Sequence, residues 1–236
     1  EHIEVIKKTV ELVRGRIPVI AGSGANSTEE AVFLTQQISA LGVDGFLSVV
    51  PYYNKPQQRG LVAHFTAVAN ASELPLILYN VPSRTVLDMD SQTVIELAKH
   101  KNIVGLKDAT GDLARLAELR AHLANDFLLL SGDDSTGCEF MNRGGHGVIS
   151  VTANIVPELM ATMCKLALSG DQTGASKIDA GLQKLHHTLF IEPNPVIPKW
   201  ALYAMGKLSS PFLRLPMVIP ELNHQTDIEQ ELKALG

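Results

Sequence analysis

Six short apolar runs, separated by helical patterns, constrain this chain more than any other feature of its sequence. The runs are "IPVIAG" (17–22), "DGFLSVV" (44–50), "PLILYN" (75–80), "NIVGLK" (102–107), "FLLLSG" (127–132) and "HGVISV" (146–151). Apolar residues at helical spacing lie between them, at 27–42, near 57–71, near 90–100, at 112–124 and near 134–143. The helix at 27–42 shows its own boundaries, with Ser27 as N-cap, Glu30 three residues on and Gly42 beyond its end. Helical patterns then fill most of 157–236, and Ile3, Ile6, Val10 and Val13 mark a helix at the start of the sequence. Near-continuous apolar strands alternating with amphipathic helices predict a parallel sheet covered by helices.

Two architectures fit that alternation: an open doubly wound sheet and a (β/α)8 barrel. No strand is followed by GxGxxG; "GSGANS" (22–27) comes nearest and lacks the third glycine. Polar residues gather at the carboxyl ends of nearly every strand: Asn26, Tyr52–Tyr53–Asn54, Tyr79–Asn80, Lys107–Asp108, Asp133–Asp134 and Thr152. A barrel focuses all of its strand ends on one mouth, where its active site is built. We therefore expect an α/β fold of the (β/α)8 TIM-barrel type. Residues 1–156 would form a partial catalytic barrel (strands 3 to 8), and 157–236 its last helix and a C-terminal helical extension. Two strand–helix units of roughly 30 residues each would complete it, so the expectation is a barrel lacking its first two strands in the given sequence. On that expectation the 236 residues alone would expose unpaired strand edges, aggregate readily and turn over slowly.

The composition, 45% hydrophobic and 19% charged, is that of a globular protein, and the net charge of −5 argues against a nucleic-acid partner. No apolar run approaches the ~20 residues needed to span a bilayer. The two cysteines, Cys138 and Cys164, form no CxxC, which makes a reducing, cytoplasmic compartment the expectation.

Lys107 is the residue that an apolar strand should avoid. With its stem among apolar side chains, desolvation lowers an ammonium pKa, and the neutral amine attacks a ketone or aldehyde to form a Schiff base. The competing reading is a structural lysine paired with Asp108 or another carboxylate. The preceding strand ends in Tyr79, a side chain able to move protons during imine formation, and Arg84 follows in a loop containing Pro82. A guanidinium fork holds a carboxylate bidentately. Together the three suit an α-keto acid substrate. Taken singly, Tyr79 reads equally as a core tyrosine and Arg84 as a surface residue.

The stretches "PYYNKP", "YNVPSRT", "IVGLKDATGD", "LLSGDD", "GGHGVISVTAN" and "LFIEPNPVIPKWAL" occur in register, and the chain carrying them resembles the dihydrodipicolinate synthase family of pyruvate-dependent class I aldolases. The resemblance runs from residue 1 to about residue 220. It implies that Lys107 forms the Schiff base with pyruvate, that Tyr79 relays protons and that Arg84 attracts the carboxylate of L-aspartate 4-semialdehyde. It implies that Tyr53 crosses a tight dimer interface into a neighbouring subunit's relay, and that the backbone carbonyl of Ile149 lies beside pyruvate. No metal or organic cofactor is implied, since the imine is itself the electron sink. Also implied are a homotetramer built as a dimer of dimers and inhibition by lysine at positions matching His2, Gly24, Asn26, Glu30 and Tyr52; Glu30 reads equally well as the capping partner of Ser27.

Three departures from the family pattern stand out. Asp108 follows the Schiff-base lysine where Glu is usual, and Val86 follows "SRT" where Gly is common, so the loop carrying Arg84 is open to a different backbone path. Nothing in the sequence matches the "GTTGE"-type loop. The alternatives are another pyruvate aldolase, acting on N-acetylneuraminate or a keto-deoxy sugar acid, and a catalytically impaired, truncated or regulatory form. Other features read plainly: His186–His187 are adjacent on a helix and share no face, Asp133–Asp134 open a helix, and the glycines of "RGGHG" (143–147) make a helix-to-strand turn.

Overall fold

The computed structural model describes residues 1–234. The chain divides after Gly132 into two compact units. The first unit holds α1 (His2–Val13), β1 (Ile20–Gly22), α2 (Thr28–Ser39), β2 (Gly45–Val49), α3 (Gln58–Asn70), β3 (Leu76–Asn80), α4 (Pro82–Thr85), α5 (Ser91–Leu97), β4 (Ile103–Asp108), α6 (Leu113–His122) and β5 (Leu128–Ser131). Its strands pair in chain order, each parallel to the next. That order is what βα alternation dictates, since a parallel neighbour requires a crossover helix. Phe46, Leu76, Leu78, Leu106 and Leu129 on the strands are buried with Ile38, Leu61, Phe65, Leu97, Leu116 and Leu119 of the helices.

Helix starts follow local chemistry. Ser27 Oγ accepts from Glu30 N, Asp90 from Thr93 N, and Asp112 from Ala114 N at 2.8 Å; each satisfies a backbone donor that the helix itself leaves open. α1 is the weakly held element: Ile3, Ile6, Val10 and Val13 share a face, yet none is fully buried. Within α3, His64 is buried beside α2, its Nδ1 2.9 Å from Thr28 Oγ1 and its ring edge-on to Phe65.

The second unit begins with α7 (Asp134–Asn142) and β6 (Gly147–Val148), then a 3-10 turn (Thr152–Asn154), α8 (Pro157–Leu168), α9 (Gln172–Thr188), α10 (Val196–Ala204) and α11 (Leu222–Ala234). Its core is helical, built on Met160, Met163, Leu182, Leu185, Ile197 and Ile228. Of the expected helical stretch 157–236, residues 235 and 236 lie outside the described residues. The described remainder holds four helices, while residues 205–221 lie outside them, a stretch containing Pro211, Pro216 and Pro220.

Two expected strands are shorter than their apolar runs. The run 17–22 becomes a strand only at Ile20, because Pro18 has no N–H and the Val19 N–H donates to Asp44 Oδ2 at 2.7 Å. The run 146–151 is a strand only at Gly147–Val148. The N–H groups of Val151 and Thr152 instead donate to the Asp134 carboxylate at 2.8 and 2.9 Å, and Ala153 N donates to Ser150 Oγ. Side-chain acceptors have drawn the chain out of the ladder into the 3-10 turn. Both cysteines are free, and among the described residues no helix is long and apolar enough to cross a membrane.

Candidate active site

The chemistry gathers where β3 and β4 end. Counted from the pair Leu76↔Ile103, a regular ladder would set Tyr79 opposite Leu106. A one-residue irregularity between Leu76 and Ile77 shifts the register, so Tyr79 pairs with Lys107 and Asn80 with Asp108. Residues paired across parallel strands project to the same face, and successive residues to opposite faces. Lys107 Nζ accordingly lies 4.0 Å from the centroid of the Tyr79 ring, an attraction of about 0.5–2 kcal/mol. Both side chains are half-buried.

This alternation also decides the ion-pair question at Asp108. Its carboxylate turns to the opposite face, where it accepts from Thr110 Oγ1 at 2.8 Å and Asn80 Nδ2 at 3.2 Å, with Arg115 at 3.8 Å. Burial pushes the Asp108 pKa up against the opposing pull of those three neighbours. Asp108 thus serves the helix side of the sheet. Burial likewise raises the Tyr79 phenol, partly offset by the positive charge of Arg84, which keeps the hydroxyl protonated at neutral pH. Gly132, one residue beyond β5, supplies room: a Cβ there would lie 2.8 Å from Lys107 Cε and 2.8 Å from Ala109 Cβ.

Arg84 sits on α4, a single helical turn that Pro82 begins and Val86 ends. Val86 takes the left-handed conformation, φ 62°. The chain therefore keeps a backbone suited to glycine although a β-branched residue stands there, at a cost of order 1–3 kcal/mol. Thr85 is buried, its hydroxyl donating to Leu87 O at 2.9 Å. After the turn, the chain is fastened to the back of the sheet. Arg115 of α6 grips Asp88 with two 2.8 Å bonds and donates to Met89 O. Asn80 Nδ2 donates to Asp88 Oδ1 at 2.7 Å, while its Oδ1 accepts from Met89 N at 3.0 Å. The sequence reading missed Gly132, Asp88 and Arg115. Asn80 was noted only as a polar strand end, and nothing in the sequence joins Asp88 to an arginine 27 positions later.

The remaining candidates divide. His2, Gly24 and Asn26 lie at the carboxyl end of β1. The His2 ring meets Gly22 O at 2.9 Å, Asn26 O accepts from Asn54 Nδ2 at 2.8 Å, and a Cβ on Gly24 would meet Val49 N at 2.5 Å. Tyr52 is exposed, three residues beyond β2, and the Glu30 side chain is exposed on the first turn of α2. Tyr53 is 88% exposed with φ 74°, a strained tyrosine held away from its own core. In the second unit, Ile149 follows β6 and is half-buried. Asp133 caps α7 through Thr136 N, and His186 is buried with Nδ1 2.7 Å from Thr152 Oγ1, whereas His187 is exposed.

A lysine beside a phenol, with an arginine's charge in reach, is an arrangement able to capture a carbonyl carbon as an imine. Fold and site together define an α/β protein with a lysine-centred site at its strand ends. Residues 1–235 match the Dihydrodipicolinate synthetase family, and the chain belongs to it. It is 62% identical over 236 residues to the 4-hydroxy-tetrahydrodipicolinate synthase of Pseudoalteromonas atlantica, covering 100% of this chain and 80% of that one. Among solved structures, the chloride-inhibited dihydrodipicolinate synthase from Acinetobacter baumannii complexed with pyruvate is 46% identical with a TM-score of 0.96, covering 98% of this chain and 79% of that one. The enzyme from Cyanidioschyzon merolae with lysine bound is 39% identical with a TM-score of 0.95, covering 99% and 80% respectively.

Proposed function

We propose that this protein is a lyase that condenses pyruvate with L-aspartate 4-semialdehyde to 4-hydroxy-tetrahydrodipicolinate, on the route to diaminopimelate and lysine. The observation that carries the reading is the register pair Tyr79–Lys107, with Nζ over the phenol ring. Lys107 would attack the keto carbon of pyruvate, and water would leave as the imine forms. Loss of a methyl proton would give an enamine, whose carbon attacks the aldehyde. Tyr79, protonated at neutral pH, is the group suited to carry those protons. Arg84 would hold the semialdehyde carboxylate, and the Ile149 carbonyl would face pyruvate. The exposure of Tyr53 supports its projection into a partner subunit.

The same reading includes a homotetramer in the cytoplasm and lysine inhibition at His2, Gly24, Asn26, Glu30 and Tyr52. The His2 ring at Gly22 O, with Gly24 and Asn26 just beyond β1, supports a small-molecule site there. The parallel pairing in chain order, with the solved relatives, supports a (β/α)8 barrel containing these strands. In that barrel, 1–156 is the strand-bearing part and 157–236 the last helix and extension.

The test is borohydride reduction with pyruvate. A reduced three-carbon adduct is expected at Lys107, and mass spectrometry finding it elsewhere, or nowhere, would overturn the assignment. Assays with sialic acid and keto-deoxy sugar acids alongside aspartate semialdehyde separate the sister aldolases. A smaller effect is expected at Gly132. Gly132→Ala forces Lys107 aside while Ala109 cannot yield, so kcat/KM should fall about tenfold with a stability loss of about 1–3 kcal/mol. Unchanged trapping kinetics would show that the lysine needs no such space.

A further inference from the structure

The segment from Val81 to Asp90 leaves β3, carries Arg84 and returns to α5 with one helical turn and a left-handed valine as its only regular features. Its return half is nevertheless fixed at many points. Met89 is fully buried, and Asn80 takes both the Met89 N–H and an Asp88 oxygen. The Gln58 amide donates to Asp88 O at 2.8 Å and accepts from Asp90 N and Thr93 Oγ1. Arg115, only 11% exposed in its side chain, closes the set with its fork on Asp88 and a bond to Met89 O. It also faces Asp108, the residue after Lys107.

We propose that Arg115, acting through Asp88, is a positioning residue that sets where Arg84 stands relative to Lys107. The inference rests on the functional reading above. One guanidinium ties the Arg84 segment to the end of β4, and does so from the face of the sheet opposite the Tyr79–Lys107 pair. Without Arg115 the Asp88 carboxylate would keep its bond from Asn80, and the backbone its bonds to Asn80 and Gln58. The charged fork that orients Asp88 and the bond to Met89 O would be lost. Geometry of this kind acts first on the grip on the second substrate and reaches imine formation only through the weaker pull of Arg84 on Tyr79. A planar fork has no equivalent in lysine, whose ammonium is a point donor. Misplacing a binding group by about 1 Å can cost a hundredfold in rate, so a visible effect is expected without any loss of a substrate contact.

The experiment compares Arg115→Lys, Arg115→Met and Asp88→Asn in the full-length protein. KM for aspartate semialdehyde should rise about tenfold, with Arg115→Lys intermediate. The KM for pyruvate, the rate of borohydride trapping at Lys107 and its pH profile should stay within about twofold of wild type. Should Arg115→Met fail to fold, the other two variants retain the comparison. If the variants trap pyruvate as wild type does and bind the semialdehyde equally well, the proposal is overturned. Parallel loss of both substrates would overturn it too, leaving Arg115 a purely structural residue. Wild type that forms no adduct at all would instead refute the functional reading, and this inference would go with it.

Discussion

Lys107→Gln abolishes turnover while leaving the fold in place. Glutamine is polar but one atom shorter and uncharged, and it offers no nucleophilic amine, so the imine route closes completely. The expected loss in kcat is about a thousandfold or more, of the size seen when a covalent nucleophile is removed. The structural cost is small by comparison. Lys107 is half-buried, and among its contacts is the 4.0 Å approach to the Tyr79 ring, worth about 0.5–2 kcal/mol. An exchange of one polar side chain for another there falls within the usual range of about 0.5–3 kcal/mol for a point substitution. Circular dichroism and the urea midpoint should therefore remain close to wild type while borohydride with pyruvate leaves no adduct. A variant retaining a tenth of wild-type activity would mean that the amine is not the nucleophile.

The chemistry of this site is legible in the sequence by residue type but not by geometry. Apolar runs locate the strands, since burial on both faces leaves little choice of side chain. They do not reveal where a backbone N–H will prefer a side-chain acceptor, and so the ends at Val19 and Val151 fall short. The pairing of Tyr79 with Lys107 depends on a register shift near Leu76 that no count along either strand discloses. Val86 illustrates a different limit. Its identity suggested a changed backbone, yet it takes the left-handed conformation, within a segment whose Thr85, Asp88 and Met89 are each fastened by hydrogen bonds. The network behind the site, in which Asn80 and Asp108 meet Asp88 and Arg115, consists of long-range polar contacts. A charged residue on a helix gives no sign of which distant carboxylate it will meet.

Acid should destabilise this protein through His64 before most carboxylates titrate. The ring is buried, and its Nε2 has no hydrogen-bond partner among the described residues. Desolvation lowers its pKa from 6.5 to about 4. In the unfolded chain the imidazole takes up a proton as pH falls through 6.5, while the folded protein resists until about 4. The unfolded state therefore binds more protons across that window, and stability falls with falling pH. Each pH unit is worth about 1.4 kcal/mol, so the window removes about 3 kcal/mol, a large share of an ordinary folding free energy. Below about pH 4 the folded ring also charges and this contribution levels off. Asp108 works in the other direction: its raised pKa means that protonation favours the folded state, so the wild-type curve alone mixes the two. Comparison with His64→Gln isolates the histidine, since glutamine cannot titrate yet keeps a polar atom near Thr28. Urea unfolding at pH 7 and at intervals down to pH 4 should show the variant losing about 3 kcal/mol less than wild type across the window, whatever its stability at neutral pH. Parallel curves would mean that the folded protein protonates His64 as readily as the unfolded chain does.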